Sequence, residues 1–298
     1  MGEIKKYAEE TGCEINENVT LSDYTSFKIG GPAELMATPR DIKELTELIL
    51  KCREYGVRPF ILGNGTNLLI SDEGLSGLTI FTGYLDKTEF ESETDIACMA
   101  GVSVVKLCRA AVERSLSGLE FAYGIPGSVG GAVYMNAGAY GGEFKDVLTG
   151  CEYLTPDGEI RRIGKEEMDL SYRHSIFSDS DNIILRAFIS LKKDDKEAIR
   201  QRMDDIISRR RSKQPLQYPS AGSAFKRPEG YFAGGLIEQC GLKGKTIGGA
   251  QISEKHAGFI INVGGATARD VLDLIEFTRQ TVFSRTGVML EPEIKLIK

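Results

Sequence analysis

Glycines gathered into three clusters constrain this chain more than any other feature of its sequence. The chain contains 34 glycines in 298 residues, which is about 11%, whereas about 7% is typical. Eight of them lie between Gly118 and Gly142, and eleven lie between Gly222 and Gly265. Because glycine lets the backbone turn sharply or approach another group closely, these clusters predict loops that surround a ligand or pass through crowded parts of the fold.

Composition excludes several classes of protein. A net charge of −6 and a pI near 5.3 argue against a general nucleic-acid binder or a protein that coats anionic membranes. No apolar run is long enough to span a bilayer, and the charged start MGEIKKYAEETG does not resemble a signal peptide. We therefore expect a cytoplasmic protein without nucleic-acid partners and without membrane insertion; the sequence does not indicate an oligomeric state.

The six cysteines include no pair with CxxC spacing, and the chain has only two histidines. Structural zinc sites draw mainly on clustered cysteine and histidine ligands. We therefore expect no metal site, and we interpret the cysteines as reduced, mostly buried thiols.

Apolar periodicity and capping residues predict helices that alternate with strands. One helix is expected with Thr38 as N-cap, Pro39 in its first turn and Gly56 after its end. Another follows the capping box that begins at Thr267 and stops at Gly287. Further helices are expected over 103–114 and 194–213, strands over 57–62, 68–71, 96–100 and 289–297, and a hairpin over 151–163. The alternation favours an α/β or α+β fold, with a domain boundary near 195.

The smallest glycine cluster, Gly63-Asn64-Gly65-Thr66-Asn67, follows a predicted strand. Its local chemistry suits a phosphate cradle and a tight hairpin turn equally well. The dinucleotide-binding fingerprint GxGxxG is excluded, because its third glycine position is Leu68 and no helix is predicted to follow.

Two further segments of the chain are also rich in glycine. The uncharged segment from Gly124 to Ala132 favours contact with a flat or elongated ligand, although a buried crossover would also use such residues. The segment from Gly241 to Thr246 is not a P-loop, because Gln239 replaces its first glycine.

Seven segments, in order, resemble the UDP-N-acetylenolpyruvoylglucosamine reductase (MurB) family and span about residues 20 to 297. They are Thr25–Gly31, Leu62–Leu69, Gly118–Gly142, Tyr172–Phe177, Ala221–Lys226, Gly249–Asn262 and Leu290–Glu293. Each segment alone is weakly specific, whereas all seven in the family's order are strongly specific.

The resemblance implies an α+β fold: an FAD-binding fold of the vanillyl-alcohol-oxidase type with two α+β subdomains, followed by a smaller α+β substrate domain. The expected ranges are 1–85 and 86–195 for the subdomains and 196–298 for the substrate domain. The implied cofactors are FAD and NADPH. The residues expected to bind FAD are Gly63, Asn64, Gly65, Thr66, Asn67, Leu68, Gly124, Ile125, Pro126, Gly127, Ser128, Gly130, Gly131 and Ala132.

The implied reaction belongs to peptidoglycan precursor synthesis and reduces the enolpyruvyl ether of UDP-N-acetylglucosamine to UDP-N-acetylmuramate. Hydride would pass from flavin N5 to the methylene carbon of the substrate. The resemblance assigns stabilisation of the developing negative charge to Arg173, proton donation to Ser223, and assistance in stabilising the enol to Glu293. Without the resemblance, these three would be interpreted as an ion-pair residue, a turn hydroxyl and a solvated acid.

Four residues are candidates for binding the UDP-sugar, namely Lys213, Lys226, Arg227 and His256. Some family members carry an inserted loop with a tyrosine that closes over the substrate diphosphate. Lys213 follows Arg173 by only 40 positions, which predicts the shorter subtype without this loop.

Two alternatives remain open from the sequence. One is another FAD-dependent oxidoreductase of the same fold; attachment of flavin through histidine is disfavoured there, because no histidine precedes His174. The other is a regulator that binds a flavin or nucleotide sugar without catalysis, which would not need Arg173, Ser223 and Glu293 together.

Overall fold

The computed structural model describes residues 2–298 of the chain. The helices are α1 (Gly2–Thr11), α2 (Ile42–Glu54), α3 (Val104–Glu113), α4 (Val129–Tyr134), α5 (Lys196–Lys213), α6 (Ala233–Gln239) and α7 (Ala268–Thr286). The strands are β1 (Ile15–Thr20), β2 (Pro32–Ala37), β3 (Phe60–Leu62), β4 (Leu68–Ile70), β5 (Leu75–Phe81), β6 (Thr88–Phe90), β7 (Asp95–Met99), β8 (Leu116–Ser117), β9 (Gly138–Ala139), β10 (Gly142–Glu143), β11 (Leu148–Leu154), β12 (Ile160–Gly164), β13 (Ile183–Ser190), β14 (Lys192–Lys193), β15 (Thr246–Ile247), β16 (Ala250–Ile252), β17 (Ile260–Asn262) and β18 (Lys295–Ile297).

The chain divides into two compact units, each assembled from separate stretches of sequence. The first unit contains the residues up to Glu17 together with Leu35–Asn64 and Gly77–Ser208. The second contains Asn18–Glu34, Gly65–Ser76 and Arg209–Lys298. The three-part division 1–85, 86–195 and 196–298 is a finer one and stays a prediction.

An antiparallel sheet of order β12-β11-β13-β7-β6 forms the centre of the first unit. Strands β11 and β12 make the expected hairpin, in which Cys151 lies opposite Ile163. Helices α2, α3 and α4 contribute buried apolar residues to the same core as this sheet. The strand pair β3 and β5 is parallel and belongs to a second sheet of order β1-β2-β5-β3.

The start of α2 differs from the prediction. The N-cap is Asp41, whose carboxylate accepts a hydrogen bond of 2.8 Å from the amide of Glu44. Thr38 instead lies buried before the helix, and its hydroxyl oxygen has no hydrogen-bond partner in the described chain. The predicted cap at Thr38 was therefore wrong. Threonine and aspartate both favour caps, but Thr38 is buried directly after strand β2 and Asp41 caps the helix.

The second unit has its own apolar core, which includes Ile237, Ile252, Leu274 and Leu290. Its main sheet has the order β15-β16-β17, and β18 pairs with β4 in parallel. The predicted capping box at the start of α7 is confirmed, since Thr267 and Asp270 exchange side chain-to-backbone hydrogen bonds. Gly287 ends the helix with φ of 74°, as expected for a left-handed C-cap.

The last predicted strand, 289–297, is shorter than expected. Only Lys295–Ile297 pairs as a strand, because the residues before it make single backbone contacts with the segment around Ala224. In the part of the chain that the structure describes, no helix has the length and apolar character that a bilayer crossing requires.

Candidate active site

In the first unit, two predicted cofactor-binding loops lie against each other. The side-chain amide of Asn64 donates a hydrogen bond of 3.0 Å to the carbonyl oxygen of Pro126. A methyl group on Gly63 would lie 2.6 Å from the hydroxyl oxygen of Ser128, so the backbone at Gly63 reaches this loop only because it has no side chain. The structure thus brings together Gly63, Asn64, Pro126 and Ser128.

The loop from Gly124 to Ala132 is not loop throughout, because its second half is the start of α4. Ser128 caps this helix and accepts a hydrogen bond of 3.3 Å from the amide of Gly131. The amide of Gly130 donates a 2.8 Å hydrogen bond to the carbonyl of Ala100, and a methyl group on Gly130 would lie 2.8 Å from the β-carbon of Ala100. Glycine at 130 therefore permits close packing of α4 on the end of β7.

Backbone amides in these loops remain available for a ligand. Within residues 2–298, the amides of Asn64, Gly127 and Ser128 donate no hydrogen bond. Unpaired amides beside glycines are donors suited to the oxygens of a diphosphate. The residues of this unit therefore fit the FAD diphosphate.

Arg173 occupies the turn of a very short hairpin in the first unit. Ser171 and His174 exchange two backbone hydrogen bonds of 3.2 Å, which leaves Tyr172 and Arg173 as the turn residues. Arg173 has φ of 58°, a conformation that residues other than glycine rarely adopt. Its guanidinium lies 5.0 Å from the centre of the Tyr172 ring and donates a 3.4 Å hydrogen bond to the carbonyl of Gly138.

The remaining part of the first loop lies in the second unit. Gly65 has φ of 58°, and a methyl group there would lie 2.1 Å from the carbonyl oxygen of Tyr24. The amides of Gly65 and Thr66 donate to no other group in the described chain. The side chain of Asn67, predicted to bind the cofactor, donates a hydrogen bond of 3.0 Å to the carbonyl of Glu293. Asn67 thus connects the glycine loop with a predicted catalytic residue, a contact that the sequence does not indicate.

Ser223 and Glu293 lie on adjacent segments of the second unit. The amide of Glu293 donates a 2.9 Å hydrogen bond to the carbonyl of Ala224, next to Ser223. Ser223 in turn forms an antiparallel bridge with Phe259. Two residues that are 70 positions apart in the sequence are therefore held close together by backbone pairing.

Lys226 and Arg227, two predicted substrate residues, line a pocket of about 400 Å³ in the second unit. Lys226 forms an ion pair with Glu291, which lines the same pocket. The guanidinium of Arg227 lies 4.1 Å from the centre of the Phe232 ring. Both cations therefore already have partners on the chain.

The other two predicted substrate residues are His256 and Lys213. His256 is half-buried, and its Nδ1 accepts a hydrogen bond of 3.1 Å from the amide of Gly258. Burial lowers the pKa of His256, and the nearby charges of Lys243 and Lys213 contribute to the lowering. The imidazole is therefore neutral at pH 7. It lies close enough to Lys213 for the charge of that lysine to lower its pKa.

Comparison with known proteins identifies the family. Residues 214–297 match the model "UDP-N-acetylenolpyruvoylglucosamine reductase, C-terminal domain", and residues 33–164 match the model "FAD binding domain". The UDP-N-acetylenolpyruvoylglucosamine reductase of Latilactobacillus sakei is 47% identical over 95% of this chain and 93% of its own length. That of Caldanaerobacter subterraneus is 48% identical over 99% of this chain and 96% of its own. The chain belongs to the UDP-N-acetylenolpyruvoylglucosamine reductase family.

A solved structure supports this assignment. UDP-N-acetylenolpyruvylglucosamine reductase (MurB) from Thermus caldophilus superposes with a TM-score of 0.82 and 36% identity, covering 96% of this chain and 99% of its own. An alkyldihydroxyacetonephosphate synthase is 15% identical with a TM-score of 0.50, covering 65% of this chain and 40% of its own, so this likeness concerns the fold alone.

The family assignment confirms several predictions. This MurB-family chain is an FAD-dependent oxidoreductase with the α+β FAD-binding fold of the vanillyl-alcohol-oxidase type. NADPH is the reductant of the family. The length of this chain, 298 residues, agrees with the shorter subtype. The roles of individual site residues stay predictions.

Proposed function

We propose that this chain catalyses the NADPH-dependent reduction of UDP-N-acetylglucosamine enolpyruvate to UDP-N-acetylmuramate, a step of peptidoglycan precursor synthesis. The family assignment supports the reaction. The hydrogen bond between Glu293 and Ala224, which brings Glu293 beside Ser223, supports the choice of catalytic residues most directly.

The reduction adds a hydride to the methylene carbon of the enolpyruvyl group and a proton to the adjacent carbon. Bound FAD supplies the hydride chemistry, which no amino-acid side chain provides. The glycine loops at 63–68 and 124–132 hold FAD, with the unpaired amides of Asn64, Gly127 and Ser128 as donors to its diphosphate.

Side chains of the protein stabilise the negative charge that develops on the substrate and supply the proton. Arg173 binds the substrate carboxylate and stabilises the negative charge that develops as the hydride arrives, because a cation placed in advance lowers the barrier most where charge appears. Ser223 donates its hydroxyl proton to the carbon beside the carboxylate, and Glu293 assists in stabilising the enol.

The substrate's diphosphate is bound by Lys226 and Lys213, with Arg227 and His256 as further contacts. Lys226 must then exchange its ion pair with Glu291 for the diphosphate. The pocket that Lys226 and Arg227 line has a volume of about 400 Å³, which is within the ordinary range for small-molecule sites.

An anaerobic visible spectrum tests the reaction. NADPH should bleach the oxidised-flavin bands, and the enolpyruvyl sugar nucleotide should restore them. A protein whose NADPH-reduced flavin is reoxidised only by oxygen, or whose oxidised flavin is bleached by simple alcohols, would contradict the proposed substrate.

Ser223→Ala tests the proton donor. Flavin reduction by NADPH should proceed at the normal rate, whereas reoxidation by the enolpyruvyl substrate should slow about 10²- to 10⁴-fold, the usual contribution of a general acid. Ser220→Ala, which removes a hydroxyl from the same loop, is the matched control and should leave both half-reactions unchanged. Equal slowing of both half-reactions in Ser223→Ala would indicate a structural role instead.

A further inference from the structure

Asn136 is a polar side chain that is fully buried in the first unit. Its side-chain amide donates hydrogen bonds to the carboxylate of Glu143 at 2.8 Å and to the carbonyl of Ser171 at 3.0 Å. Its side-chain oxygen accepts a hydrogen bond of 2.9 Å from the amide of Lys145. Asn136 therefore joins three segments of the chain, with a φ of 42° that asparagine tolerates better than most residues.

One of these segments is the hairpin that carries Arg173. Ser171, whose carbonyl Asn136 holds, begins this hairpin. The positive φ of Arg173 is a strained conformation for a residue other than glycine, and it persists only where its surroundings hold it. The hydrogen bond from Asn136 is one of the contacts that hold it.

Glu143 lies beside the same arginine. Its carboxylate accepts the hydrogen bond from Asn136 and forms an ion pair of 2.9 Å with Lys145. Glu143 also pairs across the β9–β10 hairpin with Gly138, whose carbonyl accepts the hydrogen bond from Arg173. Lys145 lowers the pKa of the Glu143 carboxyl, and Asn136 and the charge of Arg173 lower it further. Glu143 therefore lies opposite the residue whose carbonyl the Arg173 guanidinium contacts.

We propose that Asn136 and Glu143 are positioning residues for Arg173, with Asn136 holding its hairpin and Glu143 directing its guanidinium toward the substrate carboxylate. The inference rests on the proposed function, in which Arg173 binds that carboxylate. A guanidinium has five N–H donors. When the Gly138 carbonyl and the charge of Glu143 restrain it, its orientation is fixed before substrate arrives, and less ordering is needed on binding.

Glu143→Gln tests this, because glutamine retains an oxygen that accepts the hydrogen bond from Asn136 while removing the charge. Binding should be measured by calorimetry for UDP-N-acetylmuramate, which has the carboxylate, and for UDP-N-acetylglucosamine, which lacks it. The variant should bind the first ligand about tenfold more weakly and the second as the wild type does. Glu159→Gln, the same change in an exposed ion pair with Arg161, should alter neither. Equal losses for both ligands, or no loss, would overturn the proposal.

A double-mutant cycle with Arg173→Lys locates the effect. If Glu143 acts through the guanidinium, Glu143→Gln should cause no further loss in the Arg173→Lys background, and additive losses would show that it acts elsewhere. Different results would contradict the proposed function and the positioning role. If the wild type does not reduce the enolpyruvyl substrate, the proposed function is wrong; if it does and Glu143→Gln matches it throughout, only the positioning role is wrong.

Discussion

The amide of Glu293 donates a 2.9 Å hydrogen bond to the carbonyl oxygen of Ala224. Further backbone bonds continue the pairing on both sides, from the amide of Lys226 to the carbonyl of Glu291 at 2.8 Å and from the amide of Ala224 to the carbonyl of Gly258 at 2.8 Å. Three segments that are distant in the sequence thus form one small, regular arrangement around Ser223. The arrangement is set by hydrogen bonds between backbone groups.

Glu291→Gln should strengthen substrate binding, because Glu291 competes with the diphosphate for Lys226. An exposed ion pair contributes about 0–1 kcal/mol, so we expect KM for the UDP-sugar to fall by up to about fivefold while kcat changes little. Steady-state kinetics at low ionic strength give the measurement. Glu276→Gln, which breaks an ion pair with Arg279, is the control and should leave KM unchanged. A rise in KM for Glu291→Gln would show that Glu291 supports Lys226 instead.

Gly130→Ala and Gly131→Ala should differ in stability although the residues are neighbours in α4. A methyl group at 130 meets the β-carbon of Ala100 at 2.8 Å, whereas one at 131 lies 3.4 Å from the nearest atom, the Ser128 hydroxyl. Overpacking costs about 1–3 kcal/mol, and alanine in an unobstructed helical position gains up to about 1 kcal/mol over glycine. Urea unfolding of the two apoproteins measures both free energies. Equal stabilities would contradict the close packing of α4 on the end of β7.

Arg202→Met should destabilise the first unit more at neutral than at acid pH. Arg202 donates to the carboxylate of Glu120 at 2.8 Å, and Glu120 also accepts a hydrogen bond from the amide of Gly118. Burial raises the pKa of Glu120, but the hydrogen bonds from Arg202 and Gly118 more than offset this, so its pKa lies below the ordinary value. A lowered carboxyl pKa adds stability above the unfolded-state value of about 4.3 and loses it as pH falls through the folded-state pKa.

Arg202→Met should therefore lower the free energy of unfolding by about 1–3 kcal/mol at pH 7 and by clearly less at pH 3. Urea unfolding at the two pH values provides the measurement. Arg161→Met removes the partner of Glu159 in an ion pair whose two side chains are both exposed, and its effect should be small and nearly independent of pH. A loss in Arg202→Met that is the same at both pH values would mean that packing of the arginine stem, and not the charge, accounts for it.

The predictions that rest on interactions between residues close together in the sequence were confirmed. The capping box of Thr267 and Asp270, the left-handed Gly287 and the hairpin around Pro156-Asp157-Gly158 all appear as expected. Each is fixed by interactions within a few positions along the chain, so the local sequence contains the necessary information. The exception is Thr38, which was predicted as the N-cap of α2, whereas the structure has Asp41 in that role and buries Thr38 directly after β2.

The sequence by itself determined the family, the flavin chemistry and the identity of the candidate residues, because ordered motifs are specific even when each one is weak. Only the tertiary structure decided what holds those residues. The contact of Asn67 with Glu293 spans 226 positions, and that of Asn136 with Ser171 spans 35 positions. Such contacts depend on which segments the packed core brings together. A buried amide forms its hydrogen bond with whichever acceptor lies within reach, and the local sequence does not indicate which acceptor that is.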